Sequence, residues 1–498
     1  MDETKNAAAR FPMKPIPIFA GLALFLVFRM LPVPDGLSPE GWSVVAVAAL
    51  MIVWWITEAL PVAATAMAPI ALLPILGAGT ASQASSPYGD PIIFLFLGGF
   101  VLALAMERWN LHRRVALNIV SRTGSQQHRI VGGFMIATAF ISMWVSNTAT
   151  AVMMLPVAVS VVGLMEGRQH SDRFALSMML AIAYSASIGG VATLIGTPPN
   201  ALLAGALNQS YGYDIGFARW MIVGLPVAIV MLVAAWLLLT RISIRLDTTE
   251  IEDAGALFQR ELSALGRWSK AEIRVGIIFL VTAFAWIFRT LLNEIVPGLN
   301  DTSIAIAAAL ALFLVPSGDA KGGALVDWAT VKRLPWDVLI LFGGGLSLAA
   351  AVTRTGLDGW IGSVLGGFAE PLPLIGIIVV VALVILILTE FTSNTATAAA
   401  FIPLLAALAI SLGENPLMLT VPAALAASMA FMLPVATPPN AIVFGSGWVT
   451  IPQMARQGLW LNIAAVVVIS TLVYGLLVGF FGVTVGLLPD WATGATGG

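Results

Sequence analysis

An all-α multi-pass membrane protein built from two inverted repeats is the fold class this sequence predicts, and three observations predict it. Only 10% of the 498 residues are charged and 59% are hydrophobic, whereas a soluble domain is roughly a quarter charged. The hexapeptide Ser146-Asn147-Thr148-Ala149-Thr150-Ala151 returns unchanged as Ser393-Asn394-Thr395-Ala396-Thr397-Ala398, 247 positions later (393 − 146). A second pair follows, Thr197-Pro198-Pro199-Asn200-Ala201 and Thr437-Pro438-Pro439-Asn440-Ala441. Finally, threading the apolar runs with the N-terminus inside leaves only Arg29, Arg219, Arg289 and Arg354 of the 24 Lys and Arg residues outside. That is a strong positive-inside bias.

Residues 1–41 form a cytoplasmic N-terminus and a first transmembrane helix. Lys5, Arg10 and Lys14 precede an apolar run from Ile16 to Leu31, and no small-residue cleavage site follows, so the helix is expected to be retained. Residues 42–240 form the first repeat, with spans near 42–57, 59–77, 91–107 and 216–240, a hairpin over 130–166 and a broken helix over 174–208. A cytoplasmic amphipathic linker occupies 241–271. The second repeat, 272–488, has spans near 272–292, 302–316, 336–354 and 459–488, a hairpin over 372–412 and a broken helix over 416–448. Residues 489–498 are left as an external tail. Each span is near the ~20 residues that cross a bilayer.

The charge count works only if 130–166 and 372–412 each return to the side they start from. Ile130–Val145 is 16 residues, about 24 Å as a helix against a hydrocarbon core of about 30 Å. Two such arms meeting at Ser-Asn-Thr place the tip at membrane depth, as a re-entrant hairpin; a surface turn is the alternative. Phe96, Gly98, Gly99 and Leu111 match Phe342, Gly344, Gly345 and Leu357 at an offset of 246 (342 − 96), which extends the repeat outward. The two hairpins start from opposite sides, so the repeats are inverted, an architecture that suits alternating access. Met106–Arg122 and Ala254–Trp268 read as interfacial amphipathic helices, the second with Phe258, Leu262 and Leu265 opposite Arg260, Glu261 and Arg267.

Two consecutive prolines supply no backbone N–H, and the first drives the preceding Thr out of helical geometry. The helix from Ala175 is therefore expected to stop near Gly196, freeing the carbonyls of Leu194, Ile195 and Gly196. Thr197 then caps a new half-helix with Pro198 at its first position. The second break is expected at Ala436–Thr437. A structural kink is the alternative reading of each. The tips Ser146, Asn147, Thr148, Ser393, Asn394 and Thr395 carry oxygens suited to a hard cation and donors suited to a carboxylate. Five residues upstream of each Asn stand hydroxyls again, Ser142 and Thr389. Helix–helix bonding is the bland account of a single such hydroxyl; the matched set points to a cation cage in each half. Two half-helix N-termini attract an anion, no Lys or Arg lies between Arg129 and Arg168 or between Arg354 and Arg456, and bound cations complete the charge balance. Cation-coupled anion transport follows.

Other functions fare worse. No Cys is present, so disulfides and thiolate sites are excluded. No phosphate-binding loop is present for a nucleotide-driven pump, and no His or Lys lies in either tip segment to activate a nucleophile; the protein reads as a non-enzyme with no nucleotide or nucleic-acid partner. His112, His128 and His170 lie among arginines and are expected to be solvated. Glu58 reads as an interfacial residue beside Trp54 and Trp55. Glu390, an acid beside the second tip, either tunes cation binding or bonds a neighbouring helix.

The paired Ser-Asn-Thr tips, the paired Thr-Pro-Pro breaks and Thr57-Glu58-Ala59-Leu60-Pro61 resemble the divalent anion/sodium symporter family, and its bacterial dicarboxylate transporters in particular. The match covers nearly the whole chain from about residue 40. It implies an elevator-type transporter in the inner membrane, working as a homodimer and importing dicarboxylates with co-transported Na+; an exchanger, or a citrate or sulfate transporter, is the alternative. It also implies Na+ at Ser142, Ser146, Asn147 and Gly196 in one half and at Thr389, Thr392, Asn394 and Ala436 in the other. Substrate contacts are implied at Asn147, Thr148, Asn394 and Thr395, with Thr437 and Pro438 lining the pocket.

Overall fold

The computed structural model describes residues 14–165, 171–247, 249–319, 322–369 and 372–492. Among them the chain is helical, with two isolated β-bridges and no strand. Seven helices are long and apolar enough to cross a membrane, or eight if one bent pair counts as a span.

Local chemistry sets most helix starts. Helix α1 (Pro15–Met30) and α2 (Pro39–Thr57) each begin on a proline, where a missing N–H costs nothing. Ser38 caps α2 by accepting from Gly41 N, and Glu58 ends it in the left-handed region at φ 46°. Short α3 (Val62–Ala66) and α4 (Ala68–Ile75) follow. Then α5 (Ala81–Ser85), with a Thr80–Gln83 capping box, leads into α6 (Pro91–Arg108). Asn110, at φ 57°, turns the chain into α7 (Leu111–Val120).

The first hairpin is α8 (Gln127–Ser142) and α9 (Asn147–Gly163). The first broken helix is α10 (Ser171–Gly190) and α11 (Pro198–Tyr211). Helix α12 (Phe217–Leu237) continues through a π-turn to Ile242. The linker holds α13 (Ala254–Ala264). Next come α14 (Lys270–Ile287) and α15 (Arg289–Ile295), bent by 88°, and α16 (Asp301–Leu314). After the single turn α17 (Trp328–Val331) run α18 (Trp336–Arg354) and α19 (Leu357–Ala369). The second hairpin is α20 (Leu374–Phe391) and α21 (Asn394–Ser411). The second broken helix is α22 (Leu417–Ala427) and α23 (Pro438–Phe444). Helix α24 (Ile451–Val468) continues through a π-turn into α25 (Tyr474–Phe480).

Contacts show the inversion. Lys14 Nζ reaches Thr57 O at 3.1 Å, so the start of α1 and the end of α2 share one face, and the α1–α2 loop lies on the other. The α6–α7 corner shares a cavity wall with Lys14 and Glu58. The α18–α19 corner instead meets the α1–α2 loop: Ser38 donates to Thr355 O and Trp360 to Asp35 O. The hairpins that follow α7 and α19 therefore start from opposite faces. Phe96 and Phe342, equivalents in the repeat, stack edge-on at 5.1 Å.

Several expectations need correction. The broken helices stop at Gly190 and Ala427, six and nine residues before Gly196 and Ala436. Bonds from elsewhere in the fold take over carbonyls in the first unwound segment: Trp220 Nε1 donates to Val191 O at 3.0 Å and Asn200 Nδ2 to Thr193 O at 2.8 Å. The last span begins at Ile451, under a Thr450–Gln453 capping box. Met106–Arg122 is not one amphipathic helix, since Met106 to Arg108 complete α6. Helix α7 is tied into the rest of the protein. Its Arg114 is buried against Glu272 (2.7 Å) and donates to Leu265 O and Gly266 O, while Arg113 pairs with Glu261 of α13 at 2.7 Å. Phe258 of α13, buried, packs on Phe134 of the first hairpin. The linker is clamped to the protein. His112 and His128 are buried rather than solvated. Burial, aided by Arg113, holds the His112 imidazole below its ordinary range, and Nδ1 lies 3.0 Å from Met106 O. His170 lies outside the described residues.

Candidate functional site

Each hairpin turns at its Ser-Asn-Thr tip because the serine makes an N-cap. Ser146 accepts from Ala149 N at 3.2 Å and Ser393 from Ala396 N at 3.5 Å, which satisfies a free donor of α9 and of α21. The Asn then becomes the first residue of the second arm. Its amide oxygen turns back to the hydroxyl five residues upstream. Ser142 Oγ is 2.5 Å from Asn147 Oδ1 and 2.7 Å from Ala186 O. Thr389 Oγ1 is 2.6 Å from Asn394 Oδ1 and 2.9 Å from Ala427 O. Distances of 2.5–2.6 Å suit an O–H···O contact and are short for an amide N–H, so both side chains present oxygen.

Both trios have one proton too few. A hydroxyl donates once, yet each faces two acceptors, so one oxygen pair in each half is left without a proton. Ser142 and Thr389 are wholly buried, and neutral oxygens gathered in this way suit a hard cation. Among the described residues no group of three His, Cys, Asp or Glu is placed to hold a metal, so this donor set suits an alkali ion better than a transition metal.

Both tips and both breaks line one cavity of about 1250 Å³. On its wall lie Ser146, Asn147, Thr148, Gly196, Thr392, Asn394, Thr395, Ala436, Thr437 and Pro438; Ser142 and Thr389 sit one layer behind. Asn147, Pro198, Asn394 and Pro438, each the first residue of its helix, all reach it. Four helix N-termini converge there, twice the number read from the breaks alone, and each carries roughly half a positive charge. Lys14, Arg108 and Arg333 also line the cavity, with Glu58, Glu107 and Asp337; the tips themselves are free of charged side chains.

Some residues play other parts than expected. Thr197 is extended and precedes Pro198, but its side chain makes no cap; the hydroxyl lies 3.4 Å from Ser428 Oγ across the repeat boundary. Thr437 does cap, accepting from Asn440 N at 3.3 Å. The Thr392 hydroxyl donates to Leu388 O at 2.8 Å and lies 2.7 Å from Thr397 Oγ1. Gly196 is required by close approach: a Cβ there would lie 2.3 Å from Gly190 O, and one on Gly190 would lie 2.7 Å from Asn147 Oδ1.

Two positions escaped the sequence reading. Asn200 Nδ2 donates to Thr193 O at 2.8 Å, and Asn440 Nδ2 to Leu433 O at 3.0 Å and Ala430 O at 3.3 Å. These amides bind the unwound segments to the half-helices that follow. The duplicated Asn of Thr-Pro-Pro-Asn was the available signal, and its role shows only in the contacts.

The chain is similar to known proteins over nearly all of its length. The chain is 43% identical over 479 residues to the sodium-dependent dicarboxylate transporter SdcS of Staphylococcus saprophyticus, covering 94% of this chain and 92% of that one. It is 43% identical over 470 residues to SdcS of Staphylococcus aureus, covering 92% and 90%. In fold it is similar to MtrF of Neisseria gonorrhoeae, from a class of antimetabolite efflux pumps (TM-score 0.56, 11% identity, 93% and 95% covered). It is similar too to the YdaH transporter of Alcanivorax borkumensis (TM-score 0.57, 15% identity, 87% and 98% covered). Residues 13–481 match the family described as the sodium:sulfate symporter transmembrane region, and with that extent of agreement the chain belongs to the sodium:sulfate symporter family.

Proposed function

We propose that this protein is a sodium-coupled secondary transporter that imports C4-dicarboxylates such as succinate, fumarate and malate. The carrying observation is the pair of proton-deficient oxygen trios at Ser142–Asn147–Ala186 and Thr389–Asn394–Ala427, one behind each tip of the shared cavity. Sodium in each trio supplies the positive charge that the neutral oxygens lack. The helix N-termini at Asn147 and Asn394 then face a dianion whose two carboxylates meet the two tips, through Thr148 and Thr395 beside them, with Thr437 and Pro438 as the wall between. Sodium bound behind the tips attracts the dianion beyond what the helix N-termini supply, and that difference in affinity couples the gradients. The 43% identical relatives, named as sodium-dependent dicarboxylate transporters, favour this substrate class over sulfate.

The excess of Lys and Arg assigns the Lys14 face to the cytoplasm, in the cell membrane, with the N-terminus inside and the C-terminus outside. Lys14, Glu58, Arg108 and Arg333 line the cavity, which supports an inward-facing arrangement. Family resemblance supports a homodimer in which the hairpins and broken helices move as a rigid elevator against a scaffold.

Uptake of labelled succinate into proteoliposomes, inside negative, with sodium or choline outside, tests the proposal. Accumulation only with sodium is expected. Accumulation that needs internal dicarboxylate and ignores sodium identifies an exchanger and overturns the reading.

A further inference from the structure

The repeats match at their tips but differ one residue after the buried hydroxyl. The second repeat has Glu390 after Thr389; the first has Met143 after Ser142. Glu390 is 3% exposed, and its carboxylate is filled by donors from two other elements. Oε1 accepts from Phe431 N (2.9 Å), Met432 N (3.0 Å) and Asn462 Nδ2 (2.7 Å). Oε2 accepts from Met432 N (3.0 Å) and Leu433 N (3.1 Å). Three successive amides closing on one anion make a nest, and this nest is the unwound backbone between α22 and α23. From the other side Asn440 takes the carbonyls of Ala430 and Leu433. In the first repeat the corresponding tie is neutral, Thr193 Oγ1 donating to Met143 O at 2.5 Å.

Two consequences follow from the chemistry. A carboxylate already accepting five hydrogen bonds has no lone pair left for a cation, so Glu390 is not a ligand. Donors spread its charge without cancelling it, and that charge is fixed one residue from Thr389, in a dry part of the protein where screening is weak. Thr389 and Glu390 also grip the same unwound segment at two points, Ala427 O and the amides of 431–433.

We propose that Glu390 is the positioning residue that makes the two cation sites unequal: its buried charge and its hold on residues 427–433 give the Thr389–Asn394–Ala427 trio the higher sodium affinity, so that it fills before the Ser142–Asn147–Ala186 trio. The inference rests on the sodium-coupled reading given above. It assigns the carboxylate a role without proton transfer and without direct coordination, and it gives the symmetric fold an ordered pair of binding events.

The absence of cysteine permits a direct test. Val435, 79% exposed on the cavity wall beside Ala436, is replaced by Cys as a reporter, and sodium protection of that thiol from a maleimide is titrated without substrate. The V435C parent is expected to show a tight and a weak component. Adding Glu390→Gln, which keeps the shape and removes the charge, is expected to weaken the tight component at least tenfold and leave the weak one in place. Adding Ser142→Ala is expected to remove the weak component alone. A Glu390→Gln protein whose tight component is unchanged, whatever its transport rate, overturns the proposal, because a purely structural tie predicts loss of rate without a shift in sodium affinity. Should Glu390→Gln fail to fold, Asn462→Ala removes one anchor and is expected to weaken the same component about threefold; no shift there also overturns it. Sodium without effect on the parent refutes the sodium-coupled reading itself, a result distinct from the other two.

Discussion

Thr389 allows the chemistry of a cage to be separated from its packing. The side chain is wholly buried, with Oγ1 2.6 Å from Asn394 Oδ1 and 2.9 Å from Ala427 O, and the matched residue in the first repeat is Ser142. Thr389→Ser keeps the oxygen and removes a methyl group, which costs about 1 kcal/mol of folding stability. Thr389→Ala removes the oxygen as well. A neutral group bonded to a full charge contributes about 1.5–3 kcal/mol. At about 1.4 kcal/mol per decade, loss of that contact raises the half-saturating sodium concentration roughly 10- to 150-fold. The Ser variant should stay within about threefold of the parent, a difference under ~0.7 kcal/mol. The assay is initial succinate uptake into proteoliposomes against sodium at saturating succinate, paired with thermal unfolding in detergent to monitor the methyl loss. Coincident sodium curves for the Ser and Ala variants would refute the assignment of the hydroxyl as a ligand.

Other consequences are equally direct. Asn147→Ala and Asn394→Ala each remove an oxygen of a trio together with a tip donor, so uptake should fall at least ~100-fold while the variants stay folded by size-exclusion and thermal unfolding; normal uptake by either would overturn the site. Arg114→Met leaves Glu272 buried without its partner, a loss of about 3–5 kcal/mol read as a lower unfolding temperature. Adding Glu272→Gln, which can still bond Ser269 N as Glu272 does at 2.7 Å, should restore most of it; a double variant no more stable than the single would show that the charge pair is not what clamps the linker.

The parts of the site that were legible in the sequence are those that a few neighbouring residues determine. Ser146 and Ser393 cap the helix that follows them, and tandem prolines at 198–199 and 438–439 start a new helix wherever the previous one ended. Hydroxyls at Ser142 and Thr389 lie within one hairpin of the Asn they contact, so their pairing needed only a turn. The points where α10 and α22 stop were misjudged because donors from Trp220, Asn200 and Asn440 and the accepting carboxylate of Glu390 decide them, and those bonds form only once distant elements are packed. The burial of His112 and the Arg114–Glu272 pair, 158 residues apart, were illegible for the same reason. Helix α19 was missed because its apolar composition hides an amphipathic pattern, although Leu357 already matched Leu111 in the repeat.

Sequence alone determined that the chain lies in a membrane, that its halves are related by inversion, and which oxygens stand at the tips, because hydropathy, duplication and proline chemistry act over short stretches. Tertiary structure decided that four helix N-termini open on one cavity, that each buried hydroxyl faces two acceptors, and that Glu390 closes a nest of amides rather than facing an ion. The reason is physical: a count of donors against acceptors, or of partial charges around a space, belongs to the assembled protein and to no segment of it.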